Sequence, residues 1–334
     1  MINNELLAKL KNTILITGGA GFIGSNLCKA FLEDGLNVVC FDNFLTGKRE
    51  NINSFLSHEN FKLVEGDIRD VSAVETVMKG VDFVSHQAAL GSVPRSIENP
   101  QTTSEINTQG FLNVLTAAKN EGVKRFVYAS SSSVYGDSIL SPKVESEIGK
   151  PLSPYAVSKL TNELYGQLFF KLYGIQTVGL RYFNVFGVNQ DPNGVYAAAI
   201  PKFINKFMSG EAPTIYGDGN QTRDFTHITN VIEANKLAIS CEKKEAFGEI
   251  FNVACGASYP LNNVVALIKK ALMDNDVAIG DIYPQHTEER QGDVRDSLAN
   301  TSKIERVLGY QIQTEFENGI QSYVKSLLTK KSYS

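Results

Sequence analysis

The stretch "TILITGGAGFIGSNLCKAFLEDG" (13–35) constrains the fold more than any other part of the chain. A short apolar run stops at Gly18, Gly21 and Gly24, spaced three apart, and a helical pattern follows at once. Gly18 permits a tight turn, and Gly21 lets the backbone approach a pyrophosphate. Gly24 lets the helix pack close to the strand, with the helix N-terminus facing the anion. A lone glycine pattern decides little. Here the strand before it, the helix after it and Asp42 at the end of the second strand all agree. Asp42 stands where a carboxylate accepts hydrogen bonds from the adenosine ribose hydroxyls and repels a 2′-phosphate, which predicts NAD rather than NADP. Asp67 and Ile68, at the end of the third strand, are candidates to border the adenine.

The same rhythm continues through the first half. "TILIT" (13–17), "NVVCFD" (37–42), "FKLVEGD" (61–67), "DFVSHQAA" (82–89), "RFVYASS" (125–131) and "TVGLRYF" (177–183) are nearly continuous apolar runs, as parallel strands covered on both faces require. Helix-length stretches at 22–34, 72–79, 104–121 and 155–173 lie between them. Strand and helix in alternation predict an α/β fold, a Rossmann-type doubly wound parallel sheet. After residue 187 the pattern changes to a loop rich in Asn, Gly and Pro, then a helix near 199–209, and "EIFNVAC" (249–255) reads as one more buried strand. The expected division is 1–187 plus about 226–258 for the NAD-binding Rossmann domain. A smaller α/β lobe takes about 188–225 plus 259–334.

Composition narrows the function. A net charge of -4 over 334 residues offers no broad positive surface for nucleic acid or anionic lipid, so phosphate must be met locally. The four cysteines, Cys28, Cys40, Cys241 and Cys255, lie far apart with no CxxC pair, which predicts buried thiols in a reducing compartment. The four histidines are dispersed, so no metal site is expected. "MINNELLAKLKN" (1–12) lacks the long apolar run of a signal peptide, and no membrane-spanning run follows. A cytoplasmic protein that does not span a membrane is expected.

"SPYAVSK" (153–159) carries the chemistry. Ser153 fits an N-cap and Pro154 the first helical turn. Leu160, Leu164, Leu168 and Leu172 then run down one face at i+4 spacing. Tyr155 and Lys159 therefore share a face about one turn apart. In isolation such a pair is an ordinary tyrosine beside a solvated lysine. Its company here is "YASSSSVYG" (128–136), a strand end just upstream, in a chain that already carries a dinucleotide loop.

Together TGGAGFIG, SSSSVYG, the Tyr155–Lys159 pair and "LRYFNVFG" (180–187) resemble the extended short-chain dehydrogenase/reductase family, most closely its nucleotide-sugar 4-epimerase branch. The resemblance covers about 13–325. It implies that Tyr155 is the catalytic base and that Lys159 lowers its pKa and hydrogen-bonds the nicotinamide ribose. Ser131 would then bond the reacting hydroxyl, with Ser132 and Ser133 close enough to help. It extends the NAD site to Phe22, Ile23, Asn43, Gln87, Ala88, Ala89, Asn107 and Tyr182. A free tyrosine, with a pKa near ~10, is a poor base at neutral pH until positive charge stabilises the phenolate. Lys159 and the NAD nicotinamide are the expected sources.

Dehydratases and decarboxylases of this superfamily carry an acidic residue in the strand-end motif, whereas 131–134 here read Ser-Ser-Ser-Val. That favours epimerisation. Asn184 resembles the sugar-nucleotide asparagine of the hexose branch, Arg223 and Arg290 its diphosphate-contacting arginines, and Asp293 its ribose contact. Ser297 stands where glucose- and galactose-restricted members hold a bulky tyrosine, which implies room for a 2-acetamido group; the plain alternative is a loop serine. Gly91 and Ser92, in "GSVPRS" (91–96), resemble the loop lining that pocket. The implied reaction interconverts UDP-N-acetylglucosamine and UDP-N-acetylgalactosamine. Three rivals stand beside it: the same chemistry on UDP-N-acetylglucosaminuronate, a net dehydrogenase, reductase or dehydratase, and a non-catalytic NAD-binding regulator. The resemblance also implies a homodimer through helices 104–121 and 155–173.

Overall fold

The computed structural model describes residues 12–193, 198–288 and 295–331. Seven parallel strands form the central sheet: β1 Thr13–Thr17, β2 Asn37–Asp42, β3 Phe61–Glu65, β4 Phe83–His86, β5 Arg125–Ser131, β6 Thr177–Tyr182 and β7 Glu249–Val253. Their spatial order is β3-β2-β1-β4-β5-β6-β7, so the order reverses beside β1. The late strand expected near 249 is the edge strand, with Phe251 opposite Leu180. The fold is the expected Rossmann-type α/β sheet.

Alternation along β1 shows why both faces must be covered. Ile14 and Ile16 enter one core with Leu27 and Phe31 of the helix Phe22–Glu33 and Val231 and Ala234 of the helix Ile228–Ser240. Leu15, between them, enters the opposite core with Val114 and Leu115 of Phe111–Asn120. An apolar run that is buried on both faces folds as a strand because helices seal each side.

A third core lies outside the sheet. Phe203 and Phe207 of the helix Ala199–Met208, Val264 and Ile268 of Leu261–Met273, and Phe316 and Tyr323 of Phe316–Lys331 pack around Phe186 and Phe225. By contrast, Ile304, Val307 and Leu308 of Ser302–Leu308 pack into the first core, against the Rossmann sheet.

Two local departures from the sequence pattern shape the site. β3, β4 and β7 end at Glu65, His86 and Val253, short of the expected 67, 89 and 255, because the backbone leaves the sheet there. The expected helix 104–121 is broken into Pro100–Ser104, a wide π turn Glu105–Gly110 and Phe111–Asn120. Gly110 explains part of this, since a Cβ there would stand 2.5 Å from Ile68 Cδ1. No helix among the described residues is long and apolar enough to cross a membrane.

Candidate active site

At the carboxyl ends of the strands, where the strand order reverses, a cleft of about 740 Å³ opens. Open α/β sheets take their ligands at this place. Gly18, Gly21, Phe22, Ile23, Gly24, Asp42, Asn43, Asp67, Ile68, Gln87, Ala88 and Ala89 line one end of it. Gly91, Ser131, Ser132, Ser133, Tyr155, Lys159, Tyr182, Asn184, Arg223 and Ser297 line the rest. Chain segments up to 279 residues apart, from Gly18 to Ser297, thus meet in one cleft.

Two expected residues do not line it. Asn107 is fully buried, and its side chain accepts from Leu90 N at 2.8 Å and donates to Leu90 O at 3.2 Å, bracing a cleft-lining residue from behind. Ser92 caps the short helix Val93–Glu98, accepting from Arg95 N at 3.2 Å. Arg290 and Asp293 lie outside the described residues.

The glycine turn leaves no room for side chains. Gly18 sits at φ +67, and a Cβ there would come 2.7 Å from Ala88 N. At Gly24 a Cβ would come 2.1 Å from Gly18 O, so helix and turn can only be this close with glycine. Asp42 Oδ2 accepts from Ala20 N at 2.9 Å and Oδ1 from Phe44 N at 2.8 Å, which fixes the carboxylate at the rim while leaving lone pairs for hydroxyl donors. Burial raises its pKa, and those two backbone bonds pull it back. Arg69 holds Asp67 down at about 2, with the Asp67 carboxylate also accepting from Asn43 Nδ2 at 2.8 Å. A backbone cradle that side chains would fill, with an anchored carboxylate beside it, fits a dinucleotide.

The helix Pro154–Tyr173 begins as its sequence requires: Pro154 is in the first turn and Ser153 Oγ accepts from Ala156 N at 3.2 Å. Tyr155 is thereby placed at the cleft with Ser131 of the β5 end, whose side chain is near enough to lower the tyrosine's pKa. Lys159 is 2% exposed, and its Nζ donates to Ala129 O at 2.8 Å. Burial pushes the lysine down to about 8, with Glu163 opposing the shift. Burial raises the tyrosine's pKa, Ser131 lowers it in part, and the Lys159 ammonium stands 5.9 Å from its ring centroid. In this arrangement burial outweighs the Ser131 contact.

Beneath the serines lies an ion pair that the sequence did not reveal. Arg181 donates from Nε and Nη2 to the two carboxylate oxygens of Glu163, both at 2.8 Å, and Ser130 Oγ donates to Glu163 at 2.5 Å. At the other end, Ser297 pairs with Arg223 in a parallel ladder, and Asn184 Nδ2 donates to Asp224 O at 3.0 Å.

A second cavity of about 600 Å³ shares Asn184, Val185, Ala198 and Arg223 with the cleft, so the two are continuous. Lys202, Tyr216, Gln221 and Phe225 line it. None of these was singled out from the sequence, where they are scattered through turns and short strands.

Residues 14–254 match the model of the NAD dependent epimerase/dehydratase family. The chain belongs to that family. It is an NAD-dependent enzyme. A putative UDP-glucose 4-epimerase of Methanocaldococcus jannaschii is 37% identical over 313 residues, 93% of this chain and 97% of that protein. Among solved structures, the UDP-N-acetylglucosamine 4-epimerase of Methanobrevibacter ruminantium in complex with UDP-N-acetylmuramic acid is 38% identical, with a TM-score of 0.88, covering 96% of this chain and 99% of its own. The Thermus thermophilus UDP-glucose 4-epimerase in complex with NAD is 33% identical, with a TM-score of 0.83, covering 94% and 98%. The fold and the NAD expected from the glycine loop are those of the family.

Proposed function

We propose that the chain is a UDP-sugar 4-epimerase that interconverts UDP-N-acetylglucosamine and UDP-N-acetylgalactosamine. The observation that carries this reading is Tyr155 set against Ser131 in a cleft that runs from the glycine loop to Arg223 and Ser297. NAD, when bound, supplies a hydride acceptor and a positive charge at this point. Tyr155 removes the proton from the sugar 4-hydroxyl and returns it after the 4-keto sugar has turned over. Ser131 orients that hydroxyl, and Lys159 holds the tyrosine's helix against β5. Ser133 Oγ, buried without a partner, is one more polar group available to the sugar.

Elimination would need a carboxyl group beside Tyr155. Among the described residues, the acidic ones lining the cleft are Asp42, Asp67 and Asp296, two at the glycine-loop end and one beside Ser297, while Glu163 beneath is held by Arg181. This favours epimerisation over dehydration. Arg223, shared by cleft and second cavity, supports a diphosphate between sugar and nucleoside, with the nucleoside in the second cavity. We also propose a homodimer through the helix Pro154–Tyr173, where Leu164, Leu168 and Leu172 are 59%, 45% and 59% exposed along one face. Incubating the protein with each UDP-sugar, without added cofactor, and resolving the products by NMR tests the reading. Release of a dehydrated or reduced sugar would replace it.

A further inference from the structure

Lys143 is a buried lysine apart from the Tyr155–Lys159 pair. It lines the cleft, yet it is only 4% exposed. Its Nζ donates to the carbonyl of Ser138, and among the described residues the ammonium has no other hydrogen-bond acceptor and no ion pair. A buried ammonium has three donors to satisfy, so two remain for whatever enters the cleft.

The backbone shows which part of the cleft it serves. Lys143 N donates to Leu298 O at 2.7 Å and Asn300 N donates to Lys143 O at 2.9 Å, a parallel bridge to Ala299. Lys143 is thereby stitched to the segment that follows Ser297, and the two residues belong to one wall. Asp224 anchors the same segment, accepting from Ala299 N at 3.2 Å. The wall is therefore built, not a loose loop.

Charge decides the kind of group it accepts. Burial lowers the lysine's proton affinity and the nearby Asp296 carboxylate raises it, so the ammonium already has a counter-charge at a distance. What it lacks is acceptor atoms. A neutral carbonyl oxygen supplies these and leaves the charge balance between the ammonium and Asp296 as it is.

Resting on the function proposed above, we infer that Lys143 is a specificity-determining residue that donates to the carbonyl oxygen of the sugar's 2-acetamido group. Ser297 provides the space and Lys143 the hydrogen bond. The site thus recognises acetamido sugars by a positive contact as well as by room.

The test compares kcat/KM for UDP-N-acetylglucosamine, UDP-glucose and UDP-glucuronate in wild-type protein, Lys143→Met and Lys143→Arg. Methionine keeps the stem and removes the donors. A lost charged hydrogen bond predicts that the acetamido-to-glucose ratio falls by about tenfold to a hundredfold in Lys143→Met. Lys143→Arg, which keeps charge and donors, should restore part of the ratio. An equal fall on both substrates would place Lys143 in loop structure or at the diphosphate and overturn the inference. A selective fall on UDP-glucuronate would overturn it in favour of a carboxylate. Wild-type protein that converts UDP-glucose but not UDP-N-acetylglucosamine would instead remove the substrate reading on which the inference rests.

Discussion

The Lys159 ammonium donates to the carbonyl of Ala129 at 2.8 Å. This bond ties the Pro154–Tyr173 helix to the end of the β5 strand, two residues before Ser131. Tyr155, one helical turn earlier on the same face, is held against Ser131 by that anchor. A lysine in this place fixes geometry first. Its charge is available to the tyrosine only as far as burial leaves it protonated.

Tyr155→Phe should lower turnover by about 10²–10⁴-fold, the usual contribution of positioned proton transfer. The phenyl ring fills the same space, so the folded protein should still carry NAD, measured in the supernatant after denaturation. Near-wild-type turnover in this variant would assign the proton to another group.

The lysine's depressed pKa gives activity and stability opposite pH slopes. Burial sets it at about 8, so as pH rises through that value the ammonium is lost and kcat/KM should fall. For stability, the unfolded chain keeps this proton up to about 10.4. Between the two values the unfolded state binds more protons, and stability gained from this group rises with pH. Unfolding midpoints across that window should climb more steeply in wild type than in Lys159→Met. Identical slopes in the two proteins would mean that another group titrates.

The Arg181–Glu163 pair, 3% exposed on both side chains, makes a prediction about coupling. Arg181→Met strands a buried carboxylate and Glu163→Met a buried guanidinium, each costing about 3–5 kcal/mol. The double variant leaves no lone charge and should cost much less than the sum. Urea unfolding of the four proteins reads this directly, and simple additivity would show that the pair is not a unit.

What the sequence disclosed followed from local periodicity. β1 with its glycine turn, and Tyr155 with Lys159, are each written within a few neighbouring residues, where i+4 spacing or a strand–turn–helix order fixes the geometry. What it concealed needs long-range contact. Glu163 and Arg181 lie 18 residues apart in two different elements, and Lys143 meets Leu298 from 155 residues away in the chain. The second cavity is assembled from segments between Asn184 and Leu261 with no shared pattern. Asn107 lay in a stretch read as uninterrupted helix, and the π turn that swings it onto Leu90 has no signature beyond Gly110.

Ser297 gives the sharpest test of substrate choice. It lines the cleft beside Arg223, its partner in the parallel ladder, so a larger side chain there is directed by a fixed strand rather than a free loop. Ser297→Tyr places a ring where the 2-acetamido group is proposed to sit. Overfilling a packed site costs about 1–3 kcal/mol, which is roughly ten- to hundredfold in kcat/KM. The variant should therefore lose UDP-N-acetylhexosamines relative to UDP-glucose and UDP-galactose, whose 2-hydroxyl needs no such space. Because the measurement is a ratio between substrates on one protein, damage to folding or NAD binding cancels. A parallel fall in both classes would make Ser297 structural. An unchanged ratio would place the acetamido group elsewhere in the cleft, away from both Ser297 and Lys143.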